Sequence, residues 1–536
     1  MKRSGKDSVK NVLGQIPYTA ELYWLVRQKD KPLKSQFNLK QLEARLPKLV
    51  KAVDALRPEE AEGKKIFLFA TLHYWIEHVT LLGLTLAAQG HDVTVGFLPY
   101  ANWQQEINKF DLRRQNLYAL DVLKKAESVI SVASLMNVKP AVHLDEDMLE
   151  RVEMVSVYDA QYTLQDEDVD RDSDIFKMRM QRNEVAARAA LTWLSQGEPD
   201  VVIVPNGTIQ ELGMIYQVAN YLKLPVNTYE FGDQRQTIWL TQNGEIMRQE
   251  TDAMWADRCE KKITKKQMER VQNLFGARQK GSVAENFTRL WQKTPAQGSQ
   301  EVRAQLGLDE RPVVLLATNV LGDSLTLGRD LFTKSMESWI SRTVQYFNGR
   351  PDVQLVIRVH PGEVLTHGVS MVDVVHQVLP TLPEHIHLIA PEEKVNTYDL
   401  MEAADLGLVY TTTVGLEMAL NGLPVVVNAA THYRGRGFTL DPNSWVEYFK
   451  LLGKVLETPK DYLLTEDQVK MAWQYAYYWF FDFPRPFPWH LVRMWDDYKE
   501  RSLLDVLSKE GIKEYGATFG YLTGEPMDWS KIKTSG

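Results

Sequence analysis

The chain has 536 residues, 44% hydrophobic and 25% charged, with a formal net charge of −8. One hydrophobic core rarely serves such a length, so two or more domains are expected, and the acidic balance excludes a large nucleic-acid face, which needs a basic surface. The single cysteine, Cys259, allows no intrachain disulfide and no cysteine-based zinc site and fits a reducing cytosol.

Residues 1–60 read as helical and amphipathic, with Leu42, Leu46, Leu49, Val50 and Val53 spaced by three and four. Pro47 in that pattern predicts a kink or a helix start there. No apolar signal-peptide core follows the charged N-terminus. No run approaches the ~20 apolar residues needed to cross a bilayer, 475–481 being far too short. A soluble, cytoplasmic protein is expected, at most peripheral at the inner face of the membrane.

Ile66–Ala70 is a short continuous apolar run, as in a strand covered on both faces. A loop with His73, Glu77 and His78 is expected next, then a helix from about Leu81 to Gly90 and a strand at Val93–Phe97. That order is a βαβ unit and implies a parallel sheet. Val201–Pro205, a helix over 207–222 and Pro225–Tyr229 repeat the pattern. Residues 258–310 are charged and helical, a connection between domains. A second α/β domain, 311–457, opens with Val313–Ala317 and continues with strands at Val353–Val359, Ile386–Ile389, Leu406–Tyr410 and Pro424–Val427. Helices are expected around Asp399–Ala404 and Val414–Asn421, the latter stopped by Gly422. The first domain then spans 61–257, and 458–536 is an aromatic-rich helical extension.

Neither domain carries GxGxxG or GxxxxGK[ST] after its first strand, which removes the main support for simple dinucleotide or P-loop readings. Ligands of open α/β sheets still sit beyond the carboxyl ends of the strands. There the second domain delivers Arg358, His360 and Pro361 from one strand and Thr411, Thr412, Thr413, Gly415 and Glu417 from another. Hydroxyls at a helix start can cap free N–H groups, and such an end attracts phosphate. Glu417, one turn inside, is placed to accept from ribose hydroxyls, and His360 to donate to the phosphate. Arg434 and Arg436 flank a glycine on a turn that can close on a phosphate or sugar carboxylate.

Arg358-Val359-His360-Pro361 followed by Tyr410–Glu417 resembles the capsular polysaccharide glycosyltransferases, including bacterial Kdo transferases. His432–Thr439, with Tyr433, Arg434 and Arg436, is similar to that group's Tyr-Arg-Gly-Lys-Gly-Phe-Thr element, with arginine at 436 in place of lysine. Thr318–Ser324, with Asn319, Asp323 and Ser324, extends the likeness; it covers about 310–450. The first domain matches more loosely, through 205–208 and 229–232, and has Thr208 where related chains commonly have arginine.

The resemblance implies an α/β fold of two tandem Rossmann-like domains (GT-B), with an N-terminal helical segment and C-terminal helices packing across the domains. It implies a glycosyltransferase that takes a sugar from a nucleotide-sugar co-substrate, often a CMP-sugar, with no further cofactor. The acceptor would be a surface or capsular polysaccharide or glycolipid, with membrane or polysaccharide-assembly partners left open.

Such a transferase needs a base for the acceptor hydroxyl. His73 and Glu77, with His78 beside them, and the rivals Glu230 and Asp233 are the candidates, with Asp159 ranked below. No metal site is expected: there is no HExxH, and Asp166-Glu167-Asp168 and Asp168-Val169-Asp170 follow no apolar strand. The aromatics of 473–489 are expected to pack between domains rather than to stack on sugar or membrane. A nucleotide-sugar 2-epimerase and a non-catalytic sugar-binding subunit are the alternatives on the same architecture.

Overall fold

The computed structural model describes residues 5–27, 37–58, 63–232, 234–279 and 294–534. Its helices α1 (Gly5–Gln15), α2 (Thr19–Arg27) and α3 (Lys40–Leu56) precede the first strand. α3 runs unbroken through Pro47, against the expected kink or start. Leu42, Leu46, Leu49 and Val53 are buried along its length while Pro47 lies on the exposed side, where water can reach the carbonyl left without its N–H donor.

The first domain contains β1 (Lys65–Thr71), α4 (His73–Ala88), β2 (Asp92–Leu98), α5 (Lys109–Leu123), β3 (Ser131–Ser134), α6 (Glu146–Leu164) and α7 (Asp174–Gly197). It continues with β4 (Val201–Pro205), α8 (Gln210–Tyr221), β5 (Val226–Glu230) and β6 (Thr237–Gln242). β3, β4, β5, β1 and β2 are parallel, and β6 runs antiparallel at the side of β5. β1 is apolar from Ile66 to Ala70 and buried on both faces there, and Gly96 of β2 lies so close under Phe67 that any Cβ would sit 2.3 Å from its ring. The expected loop at 73–78 is already helix. The chain turns at Leu72, with φ 63°, and α4 begins at His73.

The connection holds α9 (Asp252–Arg258), α10 (Lys265–Gln279) and α11 (Ser299–Leu306). The second domain contains β7 (Val313–Ala317), α12 (Met336–Asn348), β8 (Gln354–Arg358), α13 (Met371–Val378), β9 (Ile386–Ile389), α14 (Thr397–Ala403), β10 (Leu406–Val409), α15 (Val414–Leu420), β11 (Val425–Val427) and α16 (Trp445–Glu457). Its strands are all parallel, in the order β11-β10-β7-β8-β9, with β7 at the centre.

The last stretch is shared between the two domains, as the aromatic pattern predicts. α17 (Glu466–Tyr477) leads into a π-helical turn at Tyr478–Asp482 and then β12 (Arg485–Pro486), which pairs antiparallel with β6 and completes the first sheet. Tyr475–Phe481 and Phe483 pack in the core on the second-domain side, whereas Phe487, Trp489, Tyr515 and Phe519 join the first domain's core. At the crossover the buried Asp482 accepts from Arg258 at 3.3 Å. Helices α18 (Met494–Glu500), α19 (Leu503–Val506) and α20 (Lys509–Leu522) close the chain.

Candidate active site

The loop after the central strand β7 ties together the strand ends on both sides of it. Thr318 Oγ1 accepts the N–H of His360 (2.9 Å) beyond β8, and Asn319 Oδ1 accepts the N–H of Thr411 (3.2 Å) beyond β10. His360 Nδ1 in turn accepts from the N–H of Gly362 (2.9 Å), so the neutral ring carries its proton on Nε2 as a donor. Pro361 then opens a single helical turn.

Thr411, Thr412 and Thr413 form the turn into α15. Thr412 Oγ1 accepts from Val414 N–H (3.4 Å), Thr413 makes no side-chain cap, and Thr411 Oγ1 is buried without a hydrogen bond. Tyr433 is fully buried and donates its hydroxyl to the Thr412 carbonyl (2.6 Å), resting on Gly415, where a Cβ would lie 2.4 Å from that hydroxyl. Tyr433 therefore buckles the threonine turn from beneath. Asp323 and Ser324 lie further along the β7 loop; Asp323 is exposed and caps its own turn through Leu325 N–H (2.9 Å).

Other expected donor-side residues are engaged with protein groups. The Arg358 guanidinium donates to the carbonyls of Ala390 (2.7 Å) and Glu393 (3.3 Å), and burial pulls its pKa down to about 10. Glu417 pairs with Arg278 of α10 at 2.8 Å and is buried. Arg434 donates to the Pro442 carbonyl (2.7 Å) and Asn443 Oδ1 (3.2 Å), leaving its Nε without a hydrogen bond. Arg436 reaches Thr251 Oγ1 (3.0 Å) and pairs with Asp252, tying the loop to the interdomain connection. Each of these side chains makes at least one contact within the protein, while Arg358 Nε and Arg434 Nε are buried without a hydrogen bond.

Across the cleft, β4 and β5 of the first domain end in a second polar unit. Asn206, at φ 61°, accepts from the N–H groups of Thr208 (3.1 Å) and Ile209 (3.2 Å), and its Nδ2 donates to Glu230 Oε2 (3.0 Å). Phe231 N–H donates to Glu230 Oε1 (2.9 Å). Burial pushes the Glu230 carboxyl above its ordinary range, and those two hydrogen bonds oppose the shift. Close by, α6 meets the loop after β7: a Cβ on Gly322 would sit 2.2 Å from the Gln161 carbonyl oxygen, so the two domains are in contact here. Thr208 donates to Glu245 Oε2 (3.0 Å).

The other first-domain candidates divide. His73 stands at the start of α4 with a buried Nδ1 that has no hydrogen bond, and burial lowers its pKa. Glu77, one turn further along α4, accepts from Leu42 N–H (3.0 Å) and Trp495 Nε1 (2.9 Å). That joins α3 and α18 to α4. His78 is buried against Tyr229 and Phe231. Asp159 belongs to a buried cluster with Arg179 (2.9 Å), which also pairs with Glu211 (3.0 Å), and it holds the N–H of Gln210. Asp233 lies outside the described residues. Asp166 and Asp170 cap their own turns through the N–H groups of Asp168 (2.9 Å) and Asp172 (2.8 Å).

Sequence reasoning missed the contacts that hold the domains together. Glu167 accepts from the N–H groups of Met336 (3.0 Å) and Glu337 (2.8 Å), capping α12 of the other domain, and burial pushes its pKa up to about 7. Arg248 donates to the Gly328 carbonyl, and the buried Arg329 donates to the carbonyls of Ala430 (3.2 Å) and Met247. Arg248 and Arg329 have no local pattern to single them out, and Glu167 lies in the acidic run 166–170, which gives no sign of a partner in the other domain.

Two Rossmann-like domains facing across a cleft, tied by a shared C-terminal extension, are the GT-B class of architecture. Residues 236–466 match the family model described as capsule polysaccharide biosynthesis protein, over the stretch where the elements at 358–361, 410–417 and 432–439 carry the resemblance. No curated protein gives a significant sequence match. Among solved structures, the chain is similar to Thermosulfurimonas dismutans KpsC, beta Kdo 2,4 transferase, at 16% identity over 54% of this chain and 82% of that one, TM-score 0.36. It is also similar to the Neisseria meningitidis UDP-GlcNAc 2-epimerase, at 15% identity over 77% of this chain and 96% of that one, TM-score 0.25. At such scores neither likeness decides a reaction.

Proposed function

We propose that this protein is a glycosyltransferase of capsule or surface polysaccharide biosynthesis, moving a sugar from a nucleotide-sugar donor to a polysaccharide or glycolipid acceptor in the interdomain cleft. The observation that carries this reading is the double clamp of Thr318 on His360 and Asn319 on Thr411. It gathers an N–H donor and a hydroxyl-rich turn at one sheet edge, inside the matched region. There His360 Nε2–H and the Thr411–Thr413 turn hold the nucleotide phosphate and stabilise the charge that grows on it as the glycosidic bond breaks. Glu230, on the facing domain and held by Asn206, takes the proton from the acceptor hydroxyl. Domain closure through Glu167 keeps water from the donor.

A thermal-shift series with CMP, UDP, GDP and their sugars, with and without magnesium, tests the reading. A nucleotide at about 100 times its Kd stabilises by about 2.7 kcal/mol. The proposal expects such a shift, lost in His360→Ala, with CMP as the first candidate nucleotide. Absence of a shift with every nucleotide would sink it. Interconversion of a UDP-sugar with its 2-epimer in the absence of acceptor would replace it with the epimerase reading.

A further inference from the structure

We propose that the outer face of α1 and α2 is a docking surface for an anionic lipid bilayer. These helices are oriented against the usual rule for surface helices, which place their apolar stripe inward. Their inner side is built from polar, small and aromatic groups. Asn11 accepts from Lys109 N–H (3.2 Å), and Gly14 lies so close to α5 that a Cβ would sit 2.4 Å from Phe110 N. Ala20 is buried, Tyr23 meets Phe110 edge-on and Trp24 Nε1 donates to Asp121 (2.6 Å).

The aliphatic side chains point the other way. Val9, Val12 and Ile16 on and just beyond α1, with Leu22, Leu25 and Val26 on α2, are between 48% and 76% exposed. Their spacing of three and four keeps them on one side of each helix. A face of that kind is costly in water and marks an interaction site.

Charge selects the occupant. Residues 1–34 carry eight Lys or Arg against three Asp or Glu, in a chain whose net charge is −8. An apolar helical face inside a basic segment matches an interfacial helix at an anionic leaflet. Among the described residues no helix is long and apolar enough to cross a membrane, so the contact is in the plane of the surface. This inference stands apart from the chemistry of the cleft.

Co-sedimentation of the 536-residue protein with vesicles tests it, using phosphatidylcholine alone and with about 30 mol% phosphatidylglycerol. Binding is expected on the anionic vesicles, weaker on the neutral ones and reduced by high salt. The triple variant Leu22→Glu/Leu25→Glu/Val26→Glu is expected to bind roughly tenfold more weakly or worse. Circular dichroism and melting check its fold, and if it unfolds, Val9→Glu/Val12→Glu decides in its place. No pelleting with anionic vesicles above the lipid-free control overturns the proposal, as does unchanged pelleting of a folded variant. A wild-type dimer in sedimentation velocity that the variant converts to monomer, with lipid binding intact, would assign the face to a second copy.

Discussion

Replacing Asn206 by aspartate should shift the acidic limb of the pH–rate profile upward. Asn206 Nδ2 donates to Glu230 Oε2 at 3.0 Å, while its Oδ1 accepts from Thr208 and Ile209. Aspartate keeps that acceptor and tolerates the backbone at φ 61°, but it replaces the donor with a like charge. A hydrogen bond to a charged group contributes about 1.5–3 kcal/mol. At about 1.4 kcal/mol per pKa unit, its loss raises the Glu230 pKa by about one to two units. The sign follows from the role: a base works ionised, so raising its pKa moves the rising limb to higher pH. kcat/KM measured from about pH 5 to 9 reads this directly, because it reports the free enzyme. The variant should be impaired at neutral pH and recover at alkaline pH, with Asn206→Ala moving the limb less. A limb at the wild-type pH with only a lowered plateau would refute Glu230 as the base.

Glu77→Ala should leave turnover per folded molecule near wild type while lowering stability by about 1–3 kcal/mol, because Leu42 N–H and Trp495 Nε1 lose their acceptor; a denaturant titration beside an activity assay separates the two. Gly415→Ala should destabilise by about 1–3 kcal/mol and weaken nucleotide binding, since the new methyl meets the Tyr433 hydroxyl at 2.4 Å; wild-type melting and nucleotide shift together would contradict it. Glu363 is buried and pushed up to about 7 from 4.5, chiefly by desolvation. Its folded pKa exceeds the unfolded one, so the stability it contributes is present below about pH 4.5 and lost as pH rises through 7. Glu363→Gln, which keeps an acceptor for Ser370 and Met371, should therefore stabilise the protein at pH 8, by up to about 3 kcal/mol, and change little at pH 5. Equal melting shifts at the two pH values would count against that cause.

Local pattern settled much of this protein in advance. Short continuous apolar runs bounded by polar turns, such as 66–70, 313–317 and 406–409, fit strands covered on both faces, so two largely parallel sheets followed from the sequence, as did the loops beyond their carboxyl ends. The elements at 358–361, 410–417 and 432–439 marked the second domain, because their chemistry is contiguous in the chain. Direction was not legible. Glu77 and Glu230 are both carboxylates near a strand end, yet Glu77 turns to α3 and α18 while Glu230 turns to Asn206. Arg358 and Arg436 read as phosphate ligands, and their partners within the protein, the Ala390 carbonyl for one and Thr251 with Asp252 for the other, were not legible because a guanidinium bonds to whatever carbonyls and carboxylates folding brings near. β12, the π-helical turn before it and the Glu167 cap on α12 depend on partners hundreds of residues away, or across the cleft. The sequence by itself determined the central strands of both sheets and the loops beyond most of them, because side-chain periodicity is local, but not β3, β6, β12 or the start of α4. Only the tertiary structure decided which polar groups are spent on the fold and which face the cleft, because hydrogen bonds are made with whatever lies near in space.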